Sequence, residues 1–150
     1  MENIFDPRAA EKLKQRIDML TPESQPLWGK MSVDKMLAHC NVTYEMAYED
    51  KHPRPGLFLR LILKLLVKKQ VVGEKPYSRN GKTAPQFIIG DARDFEKEKK
   101  RLLDYIQKTV RLGAAYFENR ESHSFGPLTG REWSNMFYKH LDHHLKQFGV

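Results

Sequence analysis

Apolar residues in this chain recur three and four positions apart, which is the spacing that places them on one face of an α-helix. No segment shows a sustained alternation of apolar and polar residues, so no sheet is predicted. Helices of about 15–24 residues with one apolar face pack best as an antiparallel bundle. The pattern therefore predicts an all-α domain with four long helices and one extra helix.

Capping residues and breaks set the predicted helix boundaries. Thr129 has Glu132 three residues on, which is the pattern of a capping box at the start of the final helix. The sequence from 119 to 128 reads as a loop. The predicted helices run from Pro7 to about Leu20, from Val33 to Tyr48, from Leu57 to Val72, from Phe95 to about Phe117, and from the Thr129 cap to Gly149.

Composition bounds the class of protein. The 150 residues are 40% hydrophobic and 30% charged, as expected of one soluble globular domain spanning 1–150. The single cysteine, Cys40, excludes a disulfide framework within the chain. The first residues carry no long apolar run, so no secretory signal is expected and the cytoplasm is the predicted location. The net charge of +7 permits contact with anions, but no nucleic-acid-binding signature accompanies it.

The extra helix, residues 57–72, has an unusually broad apolar surface. Arg60, Lys64 and Lys68 recur at every fourth position and form one basic edge. These charges exclude stable insertion across a bilayer. We expect a structural helix whose cationic stems lie along the edge of the bundle, and the alternative is a helix lying on a membrane surface. The following segment, 73–94, reads as a long loop in which Phe87 to Ile89 are either briefly extended or packed on the bundle.

The final helix carries three of the six histidines. On a helical wheel, His140 and His144 lie within about 20° of Trp133, in the middle of the apolar face. Their one-turn spacing lets a single helix supply two nitrogen ligands to a metal ion. His39 lies on the flank of the apolar face of the second helix and is the best candidate for a third ligand. His39, His140 and His144 are therefore the predicted metal ligands.

Other interpretations of these residues remain open at the level of sequence. His140 and His144 also fit core histidines hydrogen-bonded to polar neighbours. The position of His143 favours a residue at the solvent edge, or one that supports the ligands, over a ligand. His123 is either an ordinary loop residue or a residue at the mouth of a pocket. Cys40 lies on an apolar face, which favours a core residue over a reactive thiolate. No pair of carboxylates and no nucleophile motif identifies catalytic residues.

Two motifs resemble those of DinB-like (YfiT-like) metal-dependent proteins. The segment Trp28–His39, WGKMSVDKMLAH, is similar to the motif in which a Trp and a Ser precede a helix that carries a ligand histidine. The segment His140–Gly149, HLDHHLKQFG, is similar to the last-helix motif of a His followed by a His pair and a Gln. The preceding segment, His123–Trp133, resembles one branch of that superfamily.

The resemblance implies a four-helix bundle of up-down-down-up topology, often dimeric. It also implies a three-histidine site, here His39, His140 and His144, for a divalent ion such as nickel or zinc. Related proteins include thiol-dependent S-transferases and an isomerase that uses a low-molecular-weight thiol. The chain departs from the simplest members in residues 57–72 and in the loop that follows.

Three functions are consistent with these features. The first is a divalent-metal-dependent enzyme that activates a thiol or water against a small-molecule substrate, by transfer, hydrolysis or isomerisation. The second is a non-catalytic bundle that binds a small ligand or uses the metal as a structural clamp. The third is a protein that binds a membrane surface or nucleic acid through residues 57–69. The first is the leading hypothesis, and a homodimer is a further expectation.

Overall fold

The computed structural model describes residues 1–150, which fold into a mainly helical structure with one small two-stranded sheet. The predicted helical class is therefore confirmed, and the prediction of no sheet is wrong. The helices are α1 (Pro7–Asp18), α2 (Val33–Tyr48), α3 (Leu57–Ile62), a π-helical turn (Leu63–Val67), α4 (Lys68–Val72), α5 (Phe95–Phe117) and α6 (Gly130–Gln147). A 3₁₀ turn covers Pro85–Phe87, and the strands are β1 (Arg120–Ser122) and β2 (Gly126–Leu128).

Side-chain caps start three of the long helices where the sequence predicts. Asp6 accepts a hydrogen bond from the Arg8 amide at the start of α1, and Asp94 accepts one from Lys97 at the start of α5. Thr129 and Glu132 form a complete capping box at α6. Each cap satisfies amides that have no partner inside the helix, and this fixes the residue at which the helix begins.

The loop expected at residues 119–128 is instead a β-hairpin. Arg120 pairs with Leu128 and Ser122 pairs with Gly126 in an antiparallel register. Asn119, just before β1, and Gly126, at the start of β2, adopt positive φ angles of 58° and 76°. Strands of three residues are too short to display an alternating pattern, so the sequence contains no periodic signal for them.

The centre of the molecule is α2, in which twelve of sixteen residues are buried. An aromatic stack joins it to its neighbours: Tyr44 lies 4.7 Å from Phe137 on α6 and 5.5 Å from Tyr105 on α5, ring centre to ring centre. Cys40 is also buried here, and burial raises the pKa of its thiol. The thiol is therefore a core group, in agreement with the interpretation of its position on the apolar face.

Contacts between the helices define their relative directions. Along α2, Asn41 contacts Glu98 and Tyr48 contacts Thr109, so α2 and α5 run in the same direction. Against α6 the order reverses, because His39 approaches His144 while Tyr44 stacks on Phe137. The amino-terminal segment and α1 run parallel to α6, since Ile4 bonds to Ser134 and Arg16 bonds to Asp142.

Residues 57–72 are helical, as predicted, but most of their apolar side chains do not pack against the bundle. No residue of α3 or of the π turn is buried. Arg60 pairs with Glu121 and Lys68 pairs with Glu132, so two of the three predicted edge cations turn toward the body of the protein. All the leucines of this segment except Leu63 are exposed. The expected cations do lie at the edge of the protein, and the unexpected feature is that most of the apolar side chains of this helix are exposed.

The long loop after α4 is tied to the start of α2. Arg93 donates its amide proton to Asp34, and the Lys35 ammonium donates to the carbonyl of Gly90. Phe87 belongs to the 3₁₀ turn and packs its ring against His39, as in the packed alternative. Ile88 instead has an extended backbone and is exposed. None of the helices in the structure has the length and apolar character needed to cross a membrane.

Replacing Thr129 with Ala removes the side-chain acceptor of the capping box. We expect Thr129→Ala to lower the free energy of unfolding by about 1 kcal/mol. Chemical denaturation of the purified protein measures this change. Thr83→Ala, at an exposed loop position, is the matched control and is expected to leave stability unchanged. Equal stability of the two variants would contradict the role of the cap.

Candidate metal centre

Three histidines from two helices meet in the structure. His39 lies in the middle of α2, and His140 and His144 lie one turn apart on α6. Their ring centres are 4.5–4.9 Å apart, and one ring nitrogen of each lies within 4.8 Å of the others. The structure thus brings together the three residues that the sequence selects as ligands, including one that is about a hundred residues from the other two.

The tautomer of His39 is fixed by a backbone carbonyl. Its Nδ1 lies 2.9 Å from the carbonyl oxygen of Phe87. A carbonyl oxygen can only accept a hydrogen bond, so Nδ1 carries the proton and donates it. The lone pair of the neutral ring is therefore on Nε2, the nitrogen that faces the other two histidines.

The tautomer of His144 is fixed by a side-chain relay. Gln147 donates from Nε2 to the carbonyl oxygen of Trp28 at 2.8 Å, which orients its amide. Its Oε1 then faces Nδ1 of His144 at 2.8 Å and can only accept. His144 therefore also presents an unprotonated Nε2.

Gly29 makes this relay possible. It has a φ angle of +80°, and a Cβ atom there would lie only 2.7 Å from Nε2 of Gln147. A larger residue would strain the backbone and displace the amide that orients His144. Trp28 thus supplies the carbonyl oxygen that accepts from Gln147, and Gly29 leaves room for the Gln147 amide.

His140 completes the cluster, and the position of its ring proton decides whether its Nε2 bonds to His39 or repels it. Its Nδ1 lies 2.9 Å from the Thr43 hydroxyl, and its Nε2 lies 2.9 Å from Nε2 of His39. If Thr43 donates to Nδ1, Nε2 of His140 carries a proton and donates to His39. If Thr43 accepts instead, two lone pairs face each other, and only a cation between them relieves the repulsion. A hydroxyl can do either, so the site can exist both with and without an ion.

Electrostatics keep all three rings neutral. Burial lowers the pKa of His39, lowers that of His140 well below its ordinary value, and lowers that of His144 to about 3. The mutual proximity of the rings lowers the pKa of His140 and His144 further. Neutral imidazole is the form that binds metal. The cluster is therefore ready to accept a cation at neutral pH without first losing protons.

The spacing fits a divalent ion. Zinc–nitrogen bonds of about 2.0–2.1 Å in a tetrahedral arrangement place two ligand nitrogens about 3.3 Å apart. The observed separations, from 2.9 Å for the His39–His140 pair to at most 4.8 Å, bracket that value. Small side-chain rotations suffice to close the set around an ion. Three ligands leave at least one coordination position for another molecule.

Aromatic rings surround the cluster. The Phe87 ring lies 5.3 Å from His39 and 5.7 Å from His140, and Tyr77 lies 6.5 Å from His140. Both aromatic residues come from the long loop. The loop therefore supplies a backbone acceptor and an apolar cover, which limit the access of water to the imidazoles.

His143 lies outside the three-histidine cluster. It is half-buried, with its ring 6.0 Å from Trp28 and 5.7 Å from Tyr77. It lines a pocket of about 310 Å³ whose basic residues include Arg79 and Lys146. The sequence assignment of His143 to an edge position agrees with this placement.

The remaining histidines are distant from the cluster. His52 bonds to Glu45 on α2 through Nε2, at 2.8 Å. His123 lies in the hairpin turn, where it is buried and contacts the carbonyl oxygen of His52 at 3.3 Å. It contributes to packing between two loops and does not line the pocket beside His143.

Three groups that orient the clustered histidines are not assigned that role from the sequence. Gln147 follows His144 by three residues on one helix, which was a usable signal. Thr43 follows His39 by four residues on α2, a spacing that places both on one face. The third group, the carbonyl oxygen of Phe87, belongs to the backbone and has no signal in the side-chain pattern.

Comparison with known proteins gives a family assignment. The family model described as "Protein of unknown function (DUF1569)" matches residues 6–149. The chain belongs to this family. The match spans α2 and α6, so the DUF1569 region contains all three clustered histidines. No curated protein matches the chain, and no solved structure matches it.

The buried histidines predict a pH dependence of stability in the metal-free protein. An unfolded histidine has a pKa of 6.5, whereas folded His144 has a pKa of about 3, so below pH 6.5 the unfolded state binds more protons. Lowering the pH from 6.5 to 5 therefore reduces the free energy of unfolding, by on the order of 2 kcal/mol from His144 alone. Urea titrations in the presence of chelator measure this change. His144→Asn is expected to make the profile less steep, with His39 and His140 accounting for the slope that remains. A wild-type profile that is already flat would contradict the assignment.

Proposed function

We propose that the protein is a divalent-metal-dependent enzyme whose ion is held by His39, His140 and His144. The observation that carries the proposal is the fixed tautomer of two of these residues. The carbonyl of Phe87 and the amide of Gln147 direct the protons of His39 and His144 outward and their lone pairs inward. A cluster built only for packing has no need to aim unprotonated nitrogens at one point.

The charge of the site favours an anionic partner. The three ligands are neutral, and no carboxylate belongs to the group. When bound, a divalent ion acts as a Lewis acid that lowers the pKa of a coordinating thiol or water. The net charge of +7 and Arg79, which lines the pocket beside His143 and makes no ion pair, add a positive field, whereas Lys146 is paired with Asp142. These features support nickel or zinc as the metal and a thiol or small anion as the partner.

The protein residues have defined tasks in this proposal. His39, His140 and His144 hold the ion, while Phe87, Thr43 and Gln147 orient the imidazoles through their Nδ1 atoms. The Phe87 ring excludes water from one side of the cluster. The pocket beside His143 has room for a small molecule. Transfer of a thiol to an electrophilic substrate, or a related hydrolysis or isomerisation, is the reaction class that this arrangement supports best.

We also propose a DinB-like architecture for α1, α2, α5 and α6, as a four-helix bundle of up-down-down-up topology. The helix directions support it, because α2 and α5 run together while α6 and α1 run the opposite way. The long connection between α2 and α5 is what two parallel neighbours require. Dimerisation, which is frequent among DinB-like proteins, extends the proposal.

Metal analysis of variants tests the ligand set. We expect purified wild-type protein to bind about one equivalent of nickel or zinc, and His39→Ala, His140→Ala and His144→Ala each to lose it. Gln147→Leu, which frees the His144 ring, should weaken the affinity by about 10–100-fold. His143→Ala is the matched control on the same helix and should retain the ion. Unchanged metal content in all three ligand variants would refute the site.

Turnover separates an enzyme from a binding protein. We expect the metal-loaded protein to conjugate a low-molecular-weight thiol, such as glutathione or cysteine, to a model electrophile such as monochlorobimane. The rate should disappear with chelator and in His144→Ala, return when metal is restored to the wild type, and persist in His123→Ala. Stoichiometric metal binding without turnover across a panel of thiols and electrophiles would favour the alternative, a non-catalytic bundle that binds a metal or small ligand.

A further inference from the structure

A row of large apolar side chains on α3 and the π turn has no partner in the protein. Their exposed fractions range from 48% to 84%. A helix packed on a domain normally turns such residues inward. We call this surface the leucine face; it comprises Leu57, Phe58, Leu59, Leu61, Leu65 and Leu66.

Ion pairs on the inner side hold the helix in this orientation. Arg60 bonds to Glu121 in the hairpin, and Lys68 bonds to Glu132 in the capping box of α6 at 2.9 Å. Only Ile62, Leu63 and Val67 add partly buried contacts between them. The charged residues thus attach the helix to the protein, and the apolar residues point outward.

The π turn keeps the leucine face free of the Lys68 charge. In an uninterrupted α-helix, Lys68 would lie within about 20° of Leu61 on the wheel. The Lys68 amide instead bonds to the carbonyl oxygen of Leu63, five residues back, which inserts one extra residue into the turn. This rotates Lys68 toward the side of Arg60 and its acidic partners. A π turn at this position is consistent with a functional requirement for a continuous apolar surface.

Unpaired cations border the leucine face. Lys64 and Lys69 are exposed and make no ion pair. They line, with Lys68 and Glu132, a shallow pocket of about 420 Å³. The chain from 51 to 72 contains six lysines and arginines and no acidic residue. The surface as a whole is therefore apolar at its centre and positive at its edge.

The charge pattern indicates which partner binds the leucine face. A second copy of the chain would bring the same cations and no acidic residue from this helix, so pairing two leucine faces would place like charges together. A bilayer containing anionic lipids offers the complementary surface, because acyl chains accept the leucines and headgroup phosphates accept the lysines. We propose that the leucine face and its lysine border dock the protein on an anionic lipid surface, with the helix lying in the plane of the interface.

Vesicle co-sedimentation of the full-length protein tests this proposal. The probes are vesicles of phosphatidylcholine alone and of phosphatidylcholine with 30% phosphatidylglycerol. We expect binding to the anionic vesicles and little to the neutral ones. Lys64→Glu with Lys69→Glu should weaken binding at least about 30-fold, since each lysine contributes about fivefold near such a surface. Leu61→Gln with Leu65→Gln should weaken it at least about tenfold.

Matched controls separate docking from general charge and hydrophobicity. Lys14→Glu with Lys97→Glu makes the same change in net charge at exposed, unpaired positions on α1 and α5. Met19→Gln with Leu27→Gln removes two other exposed apolar side chains. Both control variants should bind like the wild type, and circular dichroism verifies that every variant is folded. A Phe58→Trp variant should show a blue shift of its fluorescence on anionic vesicles.

Three results would overturn the proposal. The first is binding by the wild type to neither kind of vesicle. The second is vesicle binding that the Leu61→Gln, Leu65→Gln pair leaves unchanged. The third is a dimer in sedimentation velocity that this same pair dissociates while vesicle binding is absent, which would assign the leucine face to a second copy. Because the leucine face and the histidine cluster share no residue, none of these results alters the test of metal binding.

Discussion

The register between α2 and α6 is the constraint on which the site depends. Tyr44 and Phe137 stack with parallel rings 4.7 Å apart, deep in the core. Because the two helices run in opposite directions, this stack places His39 opposite His140 and His144. A shift of one residue along either helix would rotate a histidine by about 100° and separate the rings. The core thus provides the rigid support that a coordinating site requires.

Burial then determines what the histidines can do. Exposed imidazoles would be partly protonated near pH 6.5, but burial lowers the pKa of all three rings. The cost of removing these polar groups from water is offset by hydrogen bonds to their Nδ1 atoms. Those bonds also leave the Nε2 atoms of His39 and His144 unprotonated, and Nε2 of His39 faces Nε2 of His140 at 2.9 Å. The packing of the helices and the loop therefore keeps the three rings neutral, fixes the tautomers of His39 and His144, and brings the rings together.

The sequence predicts the parts of the structure that have periodic or capping signals. The bounds of α2, the capping box of α6 and the approach of His39 to the last helix all follow from apolar spacing and from polar residues on an apolar face. The β-hairpin and the carbonyl of Phe87 have no such signal, because short strands lack a period and a backbone acceptor is the same in every residue. The leucine face shows a different limit. An apolar stripe looks the same in sequence whether it faces the core or solvent. Here the ion pairs of Arg60 and Lys68 hold the helix with its apolar stripe toward solvent.

The hydrogen bond from His39 to Phe87 has a consequence for the long loop. No residue of that loop, 73–94, is fully buried, so its ordered conformation is held by a small number of contacts such as this one and the bond from Lys35 to Gly90. A cation that withdraws electron density from Nε2 makes the Nδ1 proton a stronger donor to the Phe87 carbonyl. If the histidines hold a cation as proposed, ordering of the loop and binding of that cation are coupled equilibria, and each strengthens the other by the same free energy.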